Sequence, residues 1–250
     1  MRKLKFLFSI VLFLQSVLFA ASIAGGSELL TQGYANQLET WLGEGNITIT
    51  KIYSKQSGHT AANFHSAVDG QGRTFSIIEV LKVGTTSSNK VTDYQIVGGY
   101  NPQSWNSSGN YNYTYNDNDR TAFLFNLTKT NVGRLHQKKD TETNYYYQGT
   151  SYGYYQTYNH SSYGPYFSAW DLRIDDYAMT TGFSHLYGVT YGADNGQNMN
   201  VVGQTNWDHS YLDIGKIEVF TISQTPIPEP GSILCLMLGL LSFICYRKKL

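Results

Sequence analysis

From Ser27 onward, Leu30, Tyr34, Leu38 and then Trp41 or Leu42 recur at i, i+4, i+8 and i+11/12, which is the spacing of one helical face. The pattern predicts a helix over residues 27–42. Ser27 is placed to cap its start, Glu28 to complement the dipole there, and Gly43 to stop it. A second, shorter helix is predicted over 60–68, with Ala61, Phe64 and Val68 on one face, before Asp69-Gly70 and Gln71-Gly72 turn the chain. Strand signals dominate after that. Residues 74–81, 94–97, 121–127, 171–174 and 216–222 are rich in β-branched and aromatic side chains, and Gly, Asn, Ser and Asp punctuate them. Strands this numerous and this dispersed favour an antiparallel arrangement over a parallel doubly wound sheet. The expected fold is therefore mainly β: a two-sheet antiparallel β-sandwich with short flanking helices.

The two ends follow a different pattern. Arg2, Lys3 and Lys5 precede an apolar stretch over 6–19 and the small residues Ala20, Ala21 and Ser22, the three zones of a secretory signal. Residues 1–22 are read as that signal, with cleavage after Ser22; Ala20 and Ala24 would also serve. About 14 apolar residues are short of the ~20 that a spanning helix needs. At the other end, a linker over 223–230 carries Pro226, Pro228, Glu229 and Pro230, and an apolar run fills 231–246. At ~1.5 Å per residue that run covers about 24 Å, enough with flanking residues for a membrane segment. Arg247, Lys248 and Lys249 in the 247–250 tail would stay cytoplasmic.

Composition narrows the chemistry of the remainder. The chain has 250 residues, with 18 Lys+Arg against 18 Asp+Glu. Six of the basic residues lie at the ends, so 12 face 18 acidic ones elsewhere. A mildly acidic body gives no electrostatic footprint for nucleic acid. Both cysteines, Cys235 and Cys245, fall in the C-terminal apolar run. The body thus lacks a thiol nucleophile, a disulfide framework and a thiolate zinc site.

Two resemblances rest on ordered residues. Pro228-Glu229-Pro230, the apolar run and the basic terminus, in that order behind a signal peptide, resemble a PEP-CTERM sorting signal. That resemblance implies recognition and cleavage by an exosortase after transient anchoring in the inner membrane of a Gram-negative bacterium that makes exopolysaccharide. The body carries Gly58-His59-Thr60 through Phe64-His65, then Asp69-Gly70-Gln71-Gly72, Val97-Gly98-Gly99-Tyr100 and Ser104-Trp105-Asn106. Phe123-Leu124-Phe125, Tyr163-Gly164-Pro165-Tyr166-Phe167, Asp171-Leu172-Arg173-Ile174 and Ile217-Glu218-Val219-Phe220 follow. This succession resembles the TLDc domain over residues 38–222, with 23–37 as a lead-in. The resemblance implies a β-sandwich and protection against oxidative stress, with no established catalytic residues. It departs from the family at Ser168-Ala169-Trp170, where glycines are usual. Export would also separate this chain from the proton-pumping ATPase that some eukaryotic members bind. Within the signature, Gly98-Gly99 is expected to end a strand in a tight turn or bulge, and Trp105, Phe123 and Phe125 to be core aromatics.

Catalytic constellations are sparse. The six histidines contain no His-x-x-x-His pair, and His65, Ser66 and Asp69 have triad residue types without a Gly-x-Ser-x-Gly elbow. The acidic run beginning at Asp117 places Ala122 and Thr128 where an EF-hand loop needs Gly and Glu. A looser oxygen-ligand site there or at Asp194-Asn195 stands against a solvated turn. No catalytic residue, metal or cofactor is assigned. Residues 145–166 hold nine tyrosines, read either as a hairpin or long loop, or as a binding surface built from Tyr154, Tyr155, Tyr158 and Tyr163 with Trp170. The expected function is a non-enzymatic binding or structural module exported to the cell envelope or exterior, its partner an extracellular polysaccharide or an envelope protein. An exopolysaccharide-binding module and a hydrolytic or peroxide-removing enzyme are the alternatives.

Overall fold

A computed structural model describes residues 20–142, 152–175, 178–185, 190–205 and 209–224. The signal segment up to residue 19, the sorting motif, the apolar run and the basic tail lie outside them. Among the described residues, no helix is long and apolar enough to cross a membrane.

In chain order the strands are β1 (Ser22–Ala24), β2 (Ile47–Ser54), β3 (Thr74–Gly84), β4 (Val91–Asn101), β5 (Asn110–Tyr113), β6 (Phe123–Asn126) and β7 (Arg134–Gln137). They continue as β8 (Tyr155–Asn159), β9 (Tyr166–Phe167), β10 (Leu172–Ile174), β11 (Thr181–His185), β12 (Tyr191–Ala193) and β13 (His209–Gln224). Helix α1 is Gln32–Leu42 and α2 is Ala61–Val68. The pairing order is β12-β7-β6-β4-β3-β13-β11-β10-β9-β8-β5, with β2 also on β13 and β1 parallel to β2. The sixteen-residue β13 is the hinge of this order. Its register shifts between Asp213 and Ile217 against β3, and its C-terminal half carries β2 while its N-terminal half carries β11.

Both faces of the central strands are covered, as the apolar runs in β3 and β4 require. On one face, Phe75, Ile77, Phe125 and Phe220 pack with Leu38 of α1. On the other, Ile78, Val80 and Val97 pack with Phe64 of α2, Trp105, Phe167 of β9 and Leu172 of β10. The second layer of strands thus closes over the first, and the expected sandwich with flanking helices is what the chain forms. Trp105, Phe123 and Phe125 are buried in it, and the Trp105 indole N–H donates to Thr74 Oγ1 at 2.9 Å.

Local expectations fared unevenly. Thr60 caps α2, and Ala61, Phe64 and Val68 face inward as their spacing required. Helix α1 ends at Gly43 in a left-handed conformation, but it starts at Gln32 behind a Thr31 cap rather than at Ser27. Tertiary contacts explain the late start. Glu218, itself 1% exposed, accepts from the N–H groups of Glu28 and Leu29 and from the Ser27 hydroxyl, and pairs with Lys51 at 3.4 Å. Those amides are held by β13 instead of opening a helix. Replacing Glu218 with Ala should cost about 2 kcal/mol, the worth of hydrogen bonds to a buried charge. Urea denaturation measures the loss, and the amides of residues 27–30 should exchange faster than the core strands.

Gly98 and Gly99 do not form the turn or bulge expected of them. They lie inside β4, paired with Ile77 and Ser76 without a register break. A Cβ on Gly98 would sit 2.0 Å from the Ser76 carbonyl oxygen and 2.7 Å from the Phe125 ring; one on Gly99 would sit 2.5 Å from Phe167. Two aromatic rings therefore press on the bare backbone from opposite faces, one from each layer of core.

Candidate functional site

The tyrosine-rich segment folds as a short hairpin, β8 pairing antiparallel with β9 at Thr157 and Phe167, and the edge strand β5 joins β8 on its other side. The first part of the segment, 145–151, lies outside the described residues. The remainder includes β8, which pairs with β5 in a register placing Tyr111 opposite Tyr158 and Tyr113 opposite Tyr155. Beneath the rings runs a buried polar layer: Gln156 accepts from Thr114 Oγ1 at 2.8 Å and Gln103 Nε2 at 3.0 Å, and donates to Asn101 Oδ1 at 2.6 Å. This network fixes the strand carrying the rings, with Asn101 Nδ2 left buried and unpaired among the described residues.

Register extends the rings into a row. Arg173 pairs with Tyr166 on one side and Phe183 on the other, and Phe183 pairs with Tyr211. Since side chains alternate across a strand, directly paired residues share a face. The contacts run Tyr111–Tyr158 at 4.6 Å, Tyr158–Tyr166 at 5.2 Å and Tyr166–Arg173 at 5.6 Å. They continue Arg173–Phe183 at 5.3 Å and Phe183–Tyr211 at 5.5 Å. Tyr166 is buried as the floor of the row; the others are half-buried. At one end Tyr113 and Tyr115 project as near-parallel rings, 42% and 71% exposed, with Tyr154 stacked on both. Toward the other end, Trp170 is 47% exposed and contacts the His185 ring.

Of the residues singled out from sequence, Tyr154, Tyr155, Tyr158 and Tyr163 come together on this face, and Trp170 sits beyond Arg173 and Phe183 from them. Tyr111, Tyr113, Tyr115, Phe183 and Tyr211 were missed. Their signal was present, since Tyr111-x-Tyr113-x-Tyr115, Phe183-x-His185 and His209-x-Tyr211 all have the period of a strand face. Burial pushes the Tyr154 phenol up to about 12, helped by Tyr155, and raises those of Tyr111, Tyr113 and Tyr166. These rings stay neutral hydrogen-bonding groups at physiological pH.

The backbone around Trp170 departs from ordinary geometry. Ser168 has φ of 60° and Trp170 φ of 92°, a region that glycine adopts freely and a bulky residue does not. The departure seen in the sequence at 168–170 thus puts L-residues into glycine-like conformations. Ser168 is fully buried against Thr190, while the Trp170 ring stands out.

Other candidate chemistry resolves into structural contacts. His65 Nδ1 lies 2.8 Å from Asp69, whose other oxygen accepts from Ser107 Oγ at 2.7 Å. His65 Nε2 faces the carbonyls of His160 and Tyr163 at 3.0 and 3.1 Å. The carboxylate lies between the serine and the imidazole, and among the described residues no hydroxyl reaches the far nitrogen, so this set ties α2 to the tyrosine turn. Asp117 pairs with Arg120 at 2.5 Å, and Asp194 with Arg134 and His136 at 2.8 and 3.0 Å. Cations of the protein thus occupy the two loose acidic sites, and no group of three potential ligands gathers among the described residues. A cavity of about 430 Å³ opens beside His136, Lys138 and Glu142, with His136 Nε2 on Glu142 at 2.7 Å. Burial lowers the Lys138 pKa there against the pull of Asp171.

The fold defines a class: a mainly antiparallel β-sandwich domain with two short α-helices among the described residues and aromatic side chains displayed along an outer sheet face. A family profile for the TLDc domain matches residues 23–223, and the chain belongs to that family. The match begins fifteen residues before the expected boundary at 38, taking in β1 from Ile23 and all of α1. No curated protein matches the chain.

Proposed function

We propose that this chain is an exported, non-enzymatic TLDc module that engages a partner outside the cell through its aromatic sheet face. One observation carries the reading: a continuous row of five aromatic rings and the Arg173 guanidinium crossing six strands, with exposed aromatics toward both ends. Scattered surface aromatics need no explanation, whereas a contiguous patch of several hundred Å² marks an interaction site. Replacing Tyr113 and Tyr115 with Ser is expected to release the protein from the envelope or matrix fraction into the medium, with little change in melting temperature. Unchanged retention would refute the reading.

The ends supply the route. In this proposal the N-terminal signal starts export, and the segment around Pro228, Glu229 and Pro230 is cut by an exosortase while residues 231–246 hold the chain in the membrane. Ala21 is 2% exposed, its carbonyl accepts from Gln32 Nε2 at 2.6 Å, and Ser22 pairs with Thr48. Those contacts favour signal cleavage after Ala20 over cleavage after Ser22. Intact-mass spectrometry of the exported protein should give Ala21 as its first residue and a chain ending near the motif. Changing Pro228, Glu229 and Pro230 together to Ala should leave the tail in place. Normal tail loss in that variant would refute the sorting proposal.

A further inference from the structure

We infer that the aromatic row is a track for a single extended chain of a neutral polysaccharide, lying across the strands from the Tyr115 end toward Trp170. This inference rests on the binding-module reading above and adds the ligand class.

Pitch comes first. Successive strands lie about 4.8 Å apart, so six strands from β5 to β13 set the row about 24 Å long. Each strand contributes one side chain at its own step, in direct cross-strand register over β9, β10, β11 and β13. The strand step is comparable with one pyranose in an extended glycan, and four of the six positions, Tyr111, Tyr158, Phe183 and Tyr211, offer accessible rings to it. Sugar rings present apolar C–H faces to aromatic planes, and their edge hydroxyls would meet the phenols of Tyr111, Tyr158 and Tyr211. The row stops where Tyr211 pairs with Gly84 of β3, which offers no side chain.

Charge selects among polymers. Arg173 is the cation within the row, and Asp175 neutralises it while Tyr163, Tyr166 and Phe183 surround its guanidinium. Its role is to space the rings. A nucleic acid or an acidic polysaccharide would need several uncommitted cations along its path. The row carries none among the described residues, and the chain apart from its basic ends is net acidic. A neutral chain loses nothing on such a surface.

Trp170 gives the test its edge. A φ of 92° costs an L-residue stability that glycine would not lose. A ring kept nearly half exposed in that conformation contributes little to the core. Trp170→Gly should therefore leave the melting temperature unchanged or raise it, while removing one stacking surface.

The experiment uses the purified full-length chain at pH 7.5. Its migration is compared in native gels containing hydroxyethyl cellulose, alginate or no polymer. Calorimetry with cello-oligosaccharides of increasing length follows. Retardation by hydroxyethyl cellulose but not alginate is expected, with affinity rising with length until the row is filled. Trp170→Gly and Tyr115→Ser should each weaken binding about ten-fold, the order of one well-placed ring. Stronger retardation by alginate, no retardation in either gel, or wild-type affinity in both variants would overturn the inference. If neither polymer binds yet the Tyr113 and Tyr115 substitutions still release the protein from the matrix, the ligand class falls and the module reading survives. If those substitutions release nothing, both fall.

Discussion

Gly98→Ala is expected to destabilise the protein by at least about 3 kcal/mol, at the upper end of what overpacking a core costs. The new methyl would lie 2.0 Å from the Ser76 carbonyl oxygen, a main-chain atom of the adjacent strand. No rotamer change relieves that clash. Either β3 and β4 separate, breaking the ladder at the centre of the sheet, or Phe125 and the residues behind it must shift as well. For a domain of this size the melting temperature should fall by about 10 °C. Gly33→Ala is the matched control. Gly33 lies in α1, and a Cβ there meets only Thr31 Oγ1 at 3.9 Å. That substitution should gain about 0.5–1 kcal/mol through helix propensity. Opposite signs for the two changes, read from urea midpoints, would show that close approach and not glycine content governs this fold. A Gly98→Ala protein as stable as wild type would refute the packing described for β4.

Arg120→Ala is expected to cost about 3 kcal/mol, because a buried charge with several partners leaves each of them short when it is removed. The Arg120 side chain is 1% exposed, and its Nε, Nη1 and Nη2 donate to the carbonyls of Thr114, Lys138 and Tyr115 at 3.0, 2.9 and 3.1 Å. Asp117 and Asp140 balance its charge. The planar fork reaches three carbonyls at once, which a lysine ammonium on its flexible stem does not reproduce. Arg120→Lys should therefore recover less than half of the loss. Because Tyr115 is held through its own carbonyl, both variants should also loosen the exposed end of the aromatic row. Denaturation midpoints measure the first effect, and faster amide exchange at residues 113–115 the second. Midpoints within 1 kcal/mol of wild type for Arg120→Ala would contradict this account.

The two charged residues that organise the fold show where reading the chain in one dimension stopped. Arg120 and Glu218 were visible as residues, and Glu218 even belonged to the family-like block Ile217-Glu218-Val219-Phe220. Nothing local marks Glu218 as buried, since Ser27 and Lys51 lie far away in the chain, and Arg120 is closed in only when Lys138 joins its nearer partners Thr114, Tyr115 and Asp117. The same distance explains the wrong start of α1. Ser27 caps the Leu29 and Leu30 amides as its residue type suggests, yet it caps only a turn, because β13 claims the neighbouring amides.

Local periodicity determined the class of fold, the second helix, the end of the first at Gly43 and the inward aromatics Trp105, Phe123 and Phe125. Each of these depends on interactions within a few residues or on burial that a side chain's own apolar surface demands. The sequence also held the Tyr-x-Tyr-x-Tyr alternation of the candidate surface. Which face it occupied, and what lay beside it, was decided by strand pairing between residues far apart: Tyr111 with Tyr158, and Phe183 with Tyr211. Gly98 and Gly99 make the same point from the interior. Their φ/ψ needs are those of any strand residue, and only the arrival of Phe125 and Phe167 from two different layers makes a side chain there impossible. Register and layer contacts are non-local, and a shift of one residue in pairing would turn every ring of the row to the other face.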